Sequence, residues 1–280
     1  MSVTLYDAIG PRGRRRIAVG SAVGILVIAA IIGVAVARLA SRDAFDAELW
    51  RVLTQRNVWR LIGRGLLATL RAAGIAMALS IVLGGLLAVG RLSRRRWISV
   101  PVGAWVQLFR GLPLLLLIVF AFLGLPQLGI QVSSLWALVL ALTLYNSAVI
   151  GEIFRAGILS LPRGQTEAAL AIGLRRGQTL RIVLIPQAVR RMLPALVSQL
   201  VTLLKDTSLG FVIGYAELLR VGRGAVEFLG GRYSIPIYTA IAVVYIGVNA
   251  TLSYSARLLD RFTSRRYGRT VQLNAADEAA

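Results

Sequence analysis

The stretch "TEAALAIGLRRGQTLRIVLIPQA" (Thr166–Ala188) carries one acid and three arginines inside a chain that is otherwise mostly apolar. Its residues predict a short helix around Glu167, Ala168 and Ala169, with Leu170 and Leu174 on one face at i,i+4 spacing. The two alanines are small enough for another backbone to approach closely. Gly173 and Gly177 permit a sharp break. Gln178 to Ile185 then predict a second short helix, which Pro186 ends or kinks. The residues alone leave two uses open for this pair of small helices. It is either a segment lying on lipid phosphates through its arginines, or a knob presented to another protein.

The surroundings of this stretch set its context. Of 280 residues, 57% are hydrophobic and only 16% are charged, where a soluble domain has about a quarter charged. That is more apolar side chain than one globular core hides, and lipid is the natural solvent for the surplus. Four runs carry no charge: Ile17–Ala37, Ala72–Gly90, Gly111–Gly151 and Tyr233–Ala256. Met192–Ala216 is interrupted only by Lys205-Asp206. Crossing about 30 Å of hydrocarbon takes roughly 20 residues at about 1.5 Å each, in helical form so that every amide is satisfied internally. Gly111–Gly151 is too long for one crossing and is split near Pro126 and Gly129. The chain is thus expected to be an all-α integral membrane protein. Its six spans fall near Ile17–Leu39, Leu66–Gly90, Pro101–Leu125, Leu135–Phe154, Val189–Phe211 and Ile235–Arg257.

The net charge of +20 would suit nucleic-acid binding, but the arginines fall beside the spans. Clusters precede the first span (Arg12, Arg14, Arg15, Arg16), follow the second (Arg91, Arg94, Arg95, Arg96), lie between the fourth and fifth, and follow the sixth. Six crossings bring all four clusters to one side. The positive-inside rule makes that side cytoplasmic, with both termini there. The segment Arg38–Arg71 holds seven arginines on the outward side; Asp43, Asp46 and Glu48 partly offset them, and Trp50 and Trp59 suggest a helix at the interface. The first span resembles a signal peptide in its basic start and Ala35-Val36-Ala37 end. Its 21 apolar residues exceed a signal core of about 7–15, so a retained anchor is expected.

The pattern Glu167-Ala168-Ala169, three residues, Gly173, nine residues, Val183-Leu184-Ile185-Pro186 resembles the "EAA" loop of ABC-importer permease subunits, departing by Val183 and Ile185. "LFRGLPLLLLI" (Leu108–Ile118), "GEIFRAGILSLPRGQ" (Gly151–Gln165), "LIPQAVRRMLPAL" (Leu184–Leu196) and "LLKDTSL" (Leu203–Leu209) resemble the polar amino-acid permeases. The "YDAIGPRGRRR" start (Tyr6–Arg16) and the extra first span look most like permeases of glutamate-type importers. The resemblance covers about Leu61 to Phe262. It implies a type I ABC-importer transmembrane domain, with a five-helix core over residues 61–262. Residues 1–60 would carry the extra helix and the outward segment, and residues 263–280 a cytoplasmic tail. It further implies that the chain is a multi-pass protein of a prokaryotic cell membrane and carries a polar amino acid, glutamate or another acidic or polar one. The loop with Glu167, Ala168, Ala169, Gly173 and Pro186 would be its coupling element. The implied partners are separate ATP-binding subunits that hold ATP and magnesium, a second permease subunit, like or unlike, and an extracytoplasmic substrate-binding protein.

Charged groups within spans are costly, so they face a cavity or a partner. Arg110 is expected about 13 Å into its helix, beside the carbonyl that Pro113 frees. It could hold a substrate carboxylate or pair with Glu152. Glu152 and Arg155, at i,i+3, suit an ion pair with each other. Asn146 and Ser147 could bond a substrate or hold two helices together. Lys205 and Asp206 stand about 100° apart on a helix and need separate partners. They could line an outer gate, contact a delivering protein, or fix the irregular Thr207–Gly214 segment, where the span is expected to break.

The chain has no Cys and no His, which excludes thiolate or imidazole zinc sites and Ser-His-Asp catalysis. With Lys205 its single lysine and no Gly-Lys pair, it has no phosphate-cradling loop. An enzyme is therefore not expected, and no cofactor is expected in this chain. The alternative transporter class is one driven by an ion gradient, but internal repeats and acidic relays are not evident.

Overall fold

The computed structural model describes residues 10–277. The start of the Tyr6–Arg16 stretch and the last three residues of the 263–280 tail lie outside them. Helix α1 (Pro11–Ala40) has no buried residue. Asp46 caps the short α2 (Ala47–Trp50) by accepting from the Glu48 N–H at 3.0 Å, and a 3₁₀ turn (Arg51–Thr54) follows. The indoles of Trp50 and Trp59 donate to the carbonyls of Ala44 and Leu53.

α3 (Arg56–Arg91) begins ten residues before the expected start of the second span and runs unbroken through residue 60. Its first turns explain the difference. Val58, Ile62 and Gly65 are buried, while Arg56, Arg60 and Arg64 share an exposed stripe at i,i+4 spacing. The amphipathic face lets an arginine-bearing segment continue the helix. Val58 and Ile62 pack with Val52, Leu218, Ile237 and Ile241 in a second, smaller core.

The third span is not the continuous Pro101–Leu125 helix expected. α4 (Arg96–Gly111) ends, and α5 (Leu114–Val119) sets off at 97° to it. Pro113 disfavours the α conformation at the residue before it, and Leu112 is extended at φ −79°, ψ 137°. α5 continues through a π-helical turn (Phe120–Gly124) into α6 (Leu125–Gln127), and Gly129 turns the chain at φ +79°.

α7 (Ser134–Leu159) is the central helix. Its register against α3 fixes the topology. Ser80 of α3 meets the Thr143 carbonyl, Gly84 meets Ser147 and Ile150, and Arg91 meets Glu152. Both numbers rise together, so α3 and α7 run parallel. The chain from the end of α3 to the start of α7 must therefore cross once, and the bent α4–α6 makes that crossing. With five long apolar helices besides, the chain has six spans. A Cβ at Gly84 would lie 3.0 Å from the Ser147 carbonyl oxygen; glycine there lets the two backbones touch.

α8 (Arg163–Ala171) follows. α9 (Arg176–Gln178), a π-helical turn (Thr179–Leu184) and α10 (Ile185–Asp206) form one continuous helical run. α10 runs antiparallel to α7, with Met192 on Gly157, Gln199 on Asn146, and Gly210 beyond its end on Leu138. The chain then passes through a 3₁₀ segment (Thr207–Ile213), turns at Gly214 (φ +73°), and forms α11 (Leu218–Leu229). A 3₁₀ turn (Gly231–Tyr233) leads to α12 (Ser234–Asp277), which continues through residues 263–277. Among the described residues there is no strand.

Candidate coupling surface and translocation path

α8 stands at the end of the bundle where α3 and α7 finish. Pro162 enters it with extended ψ 136°, and the preceding Leu161 is buried with Ala188 and Met192. Gly173 ends the turn after it at φ +86°, with the Leu174 N–H donating to the Ala169 carbonyl at 3.1 Å. One bond ties this element to α10, with Gln187 Nε2 donating to Gln165 Oε1 at 3.1 Å; a second ties the end of α7 to α10, with Arg191 Nη1 donating to the Ser160 carbonyl at 2.7 Å. Glu167, Ala168, Leu170 and Ile172 are exposed, Ile172 by 79%.

Two expectations for this stretch are corrected. Ala169 is buried against its own chain rather than offered outward beside Ala168. The second short helix is not separate, because Gly177 sits within helix and Pro186 neither ends nor breaks it. The π-helical turn Thr179–Leu184 supplies the reason. A π turn adds a residue to the ladder, where the proline lacks an N–H to give. The same pairing recurs at Phe120–Gly124 and Pro126. The result is one short helix beside the root of a long one.

At this same end Glu152 is shared. Its Oε1 lies 3.3 Å from Arg91 Nε and its Oε2 2.9 Å from Arg155 Nη2. The Glu152–Arg155 pair is as expected; Arg91 takes the place expected for Arg110. Arg110 instead lies exposed in the last turn of α4, just before the bend. Asn146 and Ser147 are fully buried. Asn146 donates to the Leu142 carbonyl and accepts from Gln199 Nε2 at 2.7 Å; the Ser147 hydroxyl donates to the Leu144 carbonyl.

Lys205 and Asp206 occupy different faces, as their spacing requires. Lys205 is exposed, Asp206 is half-buried, and neither has an ion pair among the described residues. Lys205, Ser208, Tyr238, Tyr245, Asn249 and Ser253 contribute the polar groups of an open cleft of about 710 Å³ between α10 and α12. Asn249 Oδ1 is buried and has no hydrogen-bond partner among the described residues. The 3₁₀ segment Thr207–Ile213 is the break that Gly210 and Gly214 had suggested.

Sequence reasoning passed over Glu217, which the fold buries completely. Its carboxylate caps α11, accepting from the Arg220 N–H at 2.7 Å and the Leu219 N–H at 2.8 Å. Tyr245 Oη of α12 donates to it at 3.1 Å. Alongside, the Leu218 N–H donates to Thr69 Oγ1 and Tyr215 Oη to the Ala68 carbonyl of α3. Burial pushes the Glu217 carboxyl above its ordinary value, against the opposing pull of the Leu219 and Arg220 amides and Tyr245. One signal was available: an acid just ahead of a strongly amphipathic run, where an N-cap belongs.

Comparison with known proteins places this architecture. Residues 80–265 match the family described as the binding-protein-dependent transport system inner membrane component. The glutamate transport system permease protein GluD of Corynebacterium glutamicum is 38% identical over 227 residues, spanning 80% of this chain and 82% of that one. The probable glutamine ABC transporter permease protein GlnP of Bacillus subtilis is 41% identical over 199 residues, 70% and 90% of the two chains. Among solved structures, an amino acid ABC transporter with histidines superposes with a TM-score of 0.70 at 32% identity, covering 75% of this chain and 97% of that one. A bacterial alginate ABC transporter, at 17% identity and a TM-score of 0.61, shares the fold. The chain therefore belongs to the binding-protein-dependent transport system inner membrane components, as a membrane permease of the amino-acid ABC importers.

Proposed function

We propose that this permease forms the path for a polar amino acid, glutamate first among the candidates, and is driven through α8 by ATP-binding subunits on the cytoplasmic side. The observation that carries the reading is the exposed Glu167–Ala168 face of a short helix, bonded to α10 through Gln165. A rigid projection on the root of a long helix can pass on a rotation that a flexible loop would absorb. The arginine-rich end is the cytoplasmic one by the positive-inside rule. ATP and magnesium are held by the partner ATPase. A second permease subunit, like or unlike, and an extracytoplasmic binding protein would complete the assembly; the family's description supports the binding protein.

For the path, the cleft between α10 and α12 is the favoured site, because it sets a cation, Lys205, beside the polar side chains of Ser208, Tyr245 and Asn249. An amino acid needs a cation for its carboxylate and acceptors for its ammonium. Arg110, exposed beside the bend, and the half-buried Asp206 are further candidates along the route. Asn146 and Ser147 serve to join helices.

The test is ATPase activity of the assembled complex in bilayers, measured across a panel of amino acids with the binding protein present. Stimulation by glutamate above the rest is expected, and Lys205→Ala should weaken glutamate uptake more than assembly. Glu167→Arg should leave the chain inserted but release the ATPase or uncouple hydrolysis from uptake. Full transport by that variant would overturn the reading.

A further inference from the structure

The turn between α3 and α4 carries a feature that transport does not use. Arg94, Arg95 and Arg96 are consecutive and all exposed, and Trp97 beside them is 70% exposed. Arg91 is already held by Glu152, which also holds Arg155. None of the ion pairs among the described residues involves Arg94, Arg95 or Arg96, and the first turn of α4 has no acid. The Arg95 guanidinium lies 5.9 Å from the Trp97 ring centre, so cation and indole share one level. Trp side chains favour the boundary between headgroups and acyl chains.

The apolar surface leading away from this turn fits what such a boundary holds. Val82, Leu86 and Val89 of α3 are 65%, 66% and 58% exposed, and they share one face at i,i+4,i+7 spacing. Val100 and Leu108 of α4 are 64% and 55% exposed. The two helices close tightly at the turn, where a Cβ on Gly90 would lie 3.0 Å from Val102 Cγ2. A ligand would therefore lie over the outside of the turn rather than between the helices.

We propose that the Arg94–Arg95–Arg96–Trp97 turn is a headgroup site for an anionic glycerophospholipid, whose acyl chains run along the exposed Val82–Leu86–Val89 face. Guanidinium forks suit phosphodiester oxygens bidentately. A zwitterionic headgroup would set its own cation among three guanidiniums, so the site discriminates by charge. Inorganic phosphate supplies the oxygens but nothing for the indole and the apolar face.

The assembled complex is reconstituted in phosphatidylcholine bilayers containing either brominated phosphatidylglycerol or brominated phosphatidylcholine. The Trp97 signal is the difference between the wild type and Trp97→Phe. Half-quenching by the anionic lipid should occur at a mole fraction about tenfold lower than by the zwitterionic one, as expected for several cations acting together at a membrane surface. Arg94→Gln/Arg95→Gln/Arg96→Gln should abolish that preference, and the matching lysine variant should keep most of it. Excess inorganic phosphate should leave it unchanged. Arg95→Gln alone, expected to weaken the preference, serves if the triple variant does not assemble. Equal quenching by both lipids, or displacement by phosphate, overturns the proposal. So does loss of ATPase subunits from the glutamine variant with lipid preference intact, which would assign the turn to a protein partner.

Discussion

Replacing Glu217 by alanine tests whether the outer end of this bundle is held by one buried carboxylate. The side chain has no exposure and accepts three hydrogen bonds, two from the first amides of α11 and one from Tyr245 of α12. Loss of the cap should cost about 1 kcal/mol. The Tyr245 hydroxyl, left without its acceptor, should cost about 1–3 kcal/mol more. A sum of about 2–4 kcal/mol corresponds to a fall in melting temperature on the order of 5–10 °C, read from thermal unfolding of the purified permease in detergent. Arg223→Ala, on the same helix, removes the exposed pair with Glu227 at 2.7 Å and a guanidinium 5.1 Å from the Phe211 ring centre. It should change stability by about 1 kcal/mol or less. If Glu217→Ala melts with Arg223→Ala rather than well below it, the carboxylate does not hold α11 to α12.

Other outcomes follow from the same contacts. Gly65→Ala would place a Cβ 2.9 Å from the Leu218 Cα; backbone cannot swing aside, so a loss of about 1–3 kcal/mol is expected. Gly74→Ala meets nothing within 4 Å and should melt like the wild type. A double-mutant cycle on Asn146→Ala and Gln199→Ala should give a coupling of about 0.6 kcal/mol, the usual size for hydrogen bonds between membrane helices; zero coupling would deny their 2.7 Å bond. The Glu217 carboxyl is raised above its ordinary 4.5 by burial, so the fold binds its proton more tightly than the unfolded chain does. Its contribution is thus greatest below 4.5 and is lost as pH rises through the raised value. Melting measured against pH should show this decline in the wild type but not in Glu217→Gln.

What the sequence discloses and what it conceals differ in kind. The apolar runs and arginine clusters are local, and they mark the six spans and the shared basic end. Glu167, Gly173 and the break after Asp206 are legible for the same reason: a short helix, a positive-φ glycine and a change of helix type depend on neighbours in the chain. The 97° bend at Leu112-Pro113 was half visible. Proline announces a freed carbonyl, but neither angle nor direction can be read before α5 finds its place on α7. The wide turns ahead of Pro126 and Pro186 were not visible, because a proline alone does not say whether a helix stops or widens to keep it. Arg110 was misplaced against Glu152 because counting residues gives depth along a helix but not which neighbour holds the acid, and Arg91 of α3 holds it. Glu217 was missed because its three donors come from α11 and α12, and only Tyr245, 28 residues on, distinguishes it from an ordinary cap.

These contacts also set how far a push on α8 would travel if force enters there, as proposed. α8 is bonded to Gln187 near the root of α10, and the Ser160 carbonyl at the end of α7 accepts from Arg191. α10 is helical without interruption from Ile185 to Asp206 and packs against α7 along much of its length, with Met192 on Gly157, Gln199 bonded to Asn146, and Leu203 and Leu204 in the main core. Beyond Asp206 the helix type changes, and the chain turns at Gly214 into the cap held by Glu217. A stiff shaft carries a displacement of its root toward its far end, and the change of helix type there lets the shaft move relative to the cap. The Lys205 side of the cleft lies on the last turn of the shaft, whereas Tyr245 and Asn249 belong to α12. Motion of α10 relative to α12 would therefore open or close the cleft between its cation and its acceptor without disturbing the α3–α7 pair, where Gly84 allows backbone contact and leaves no room for sliding.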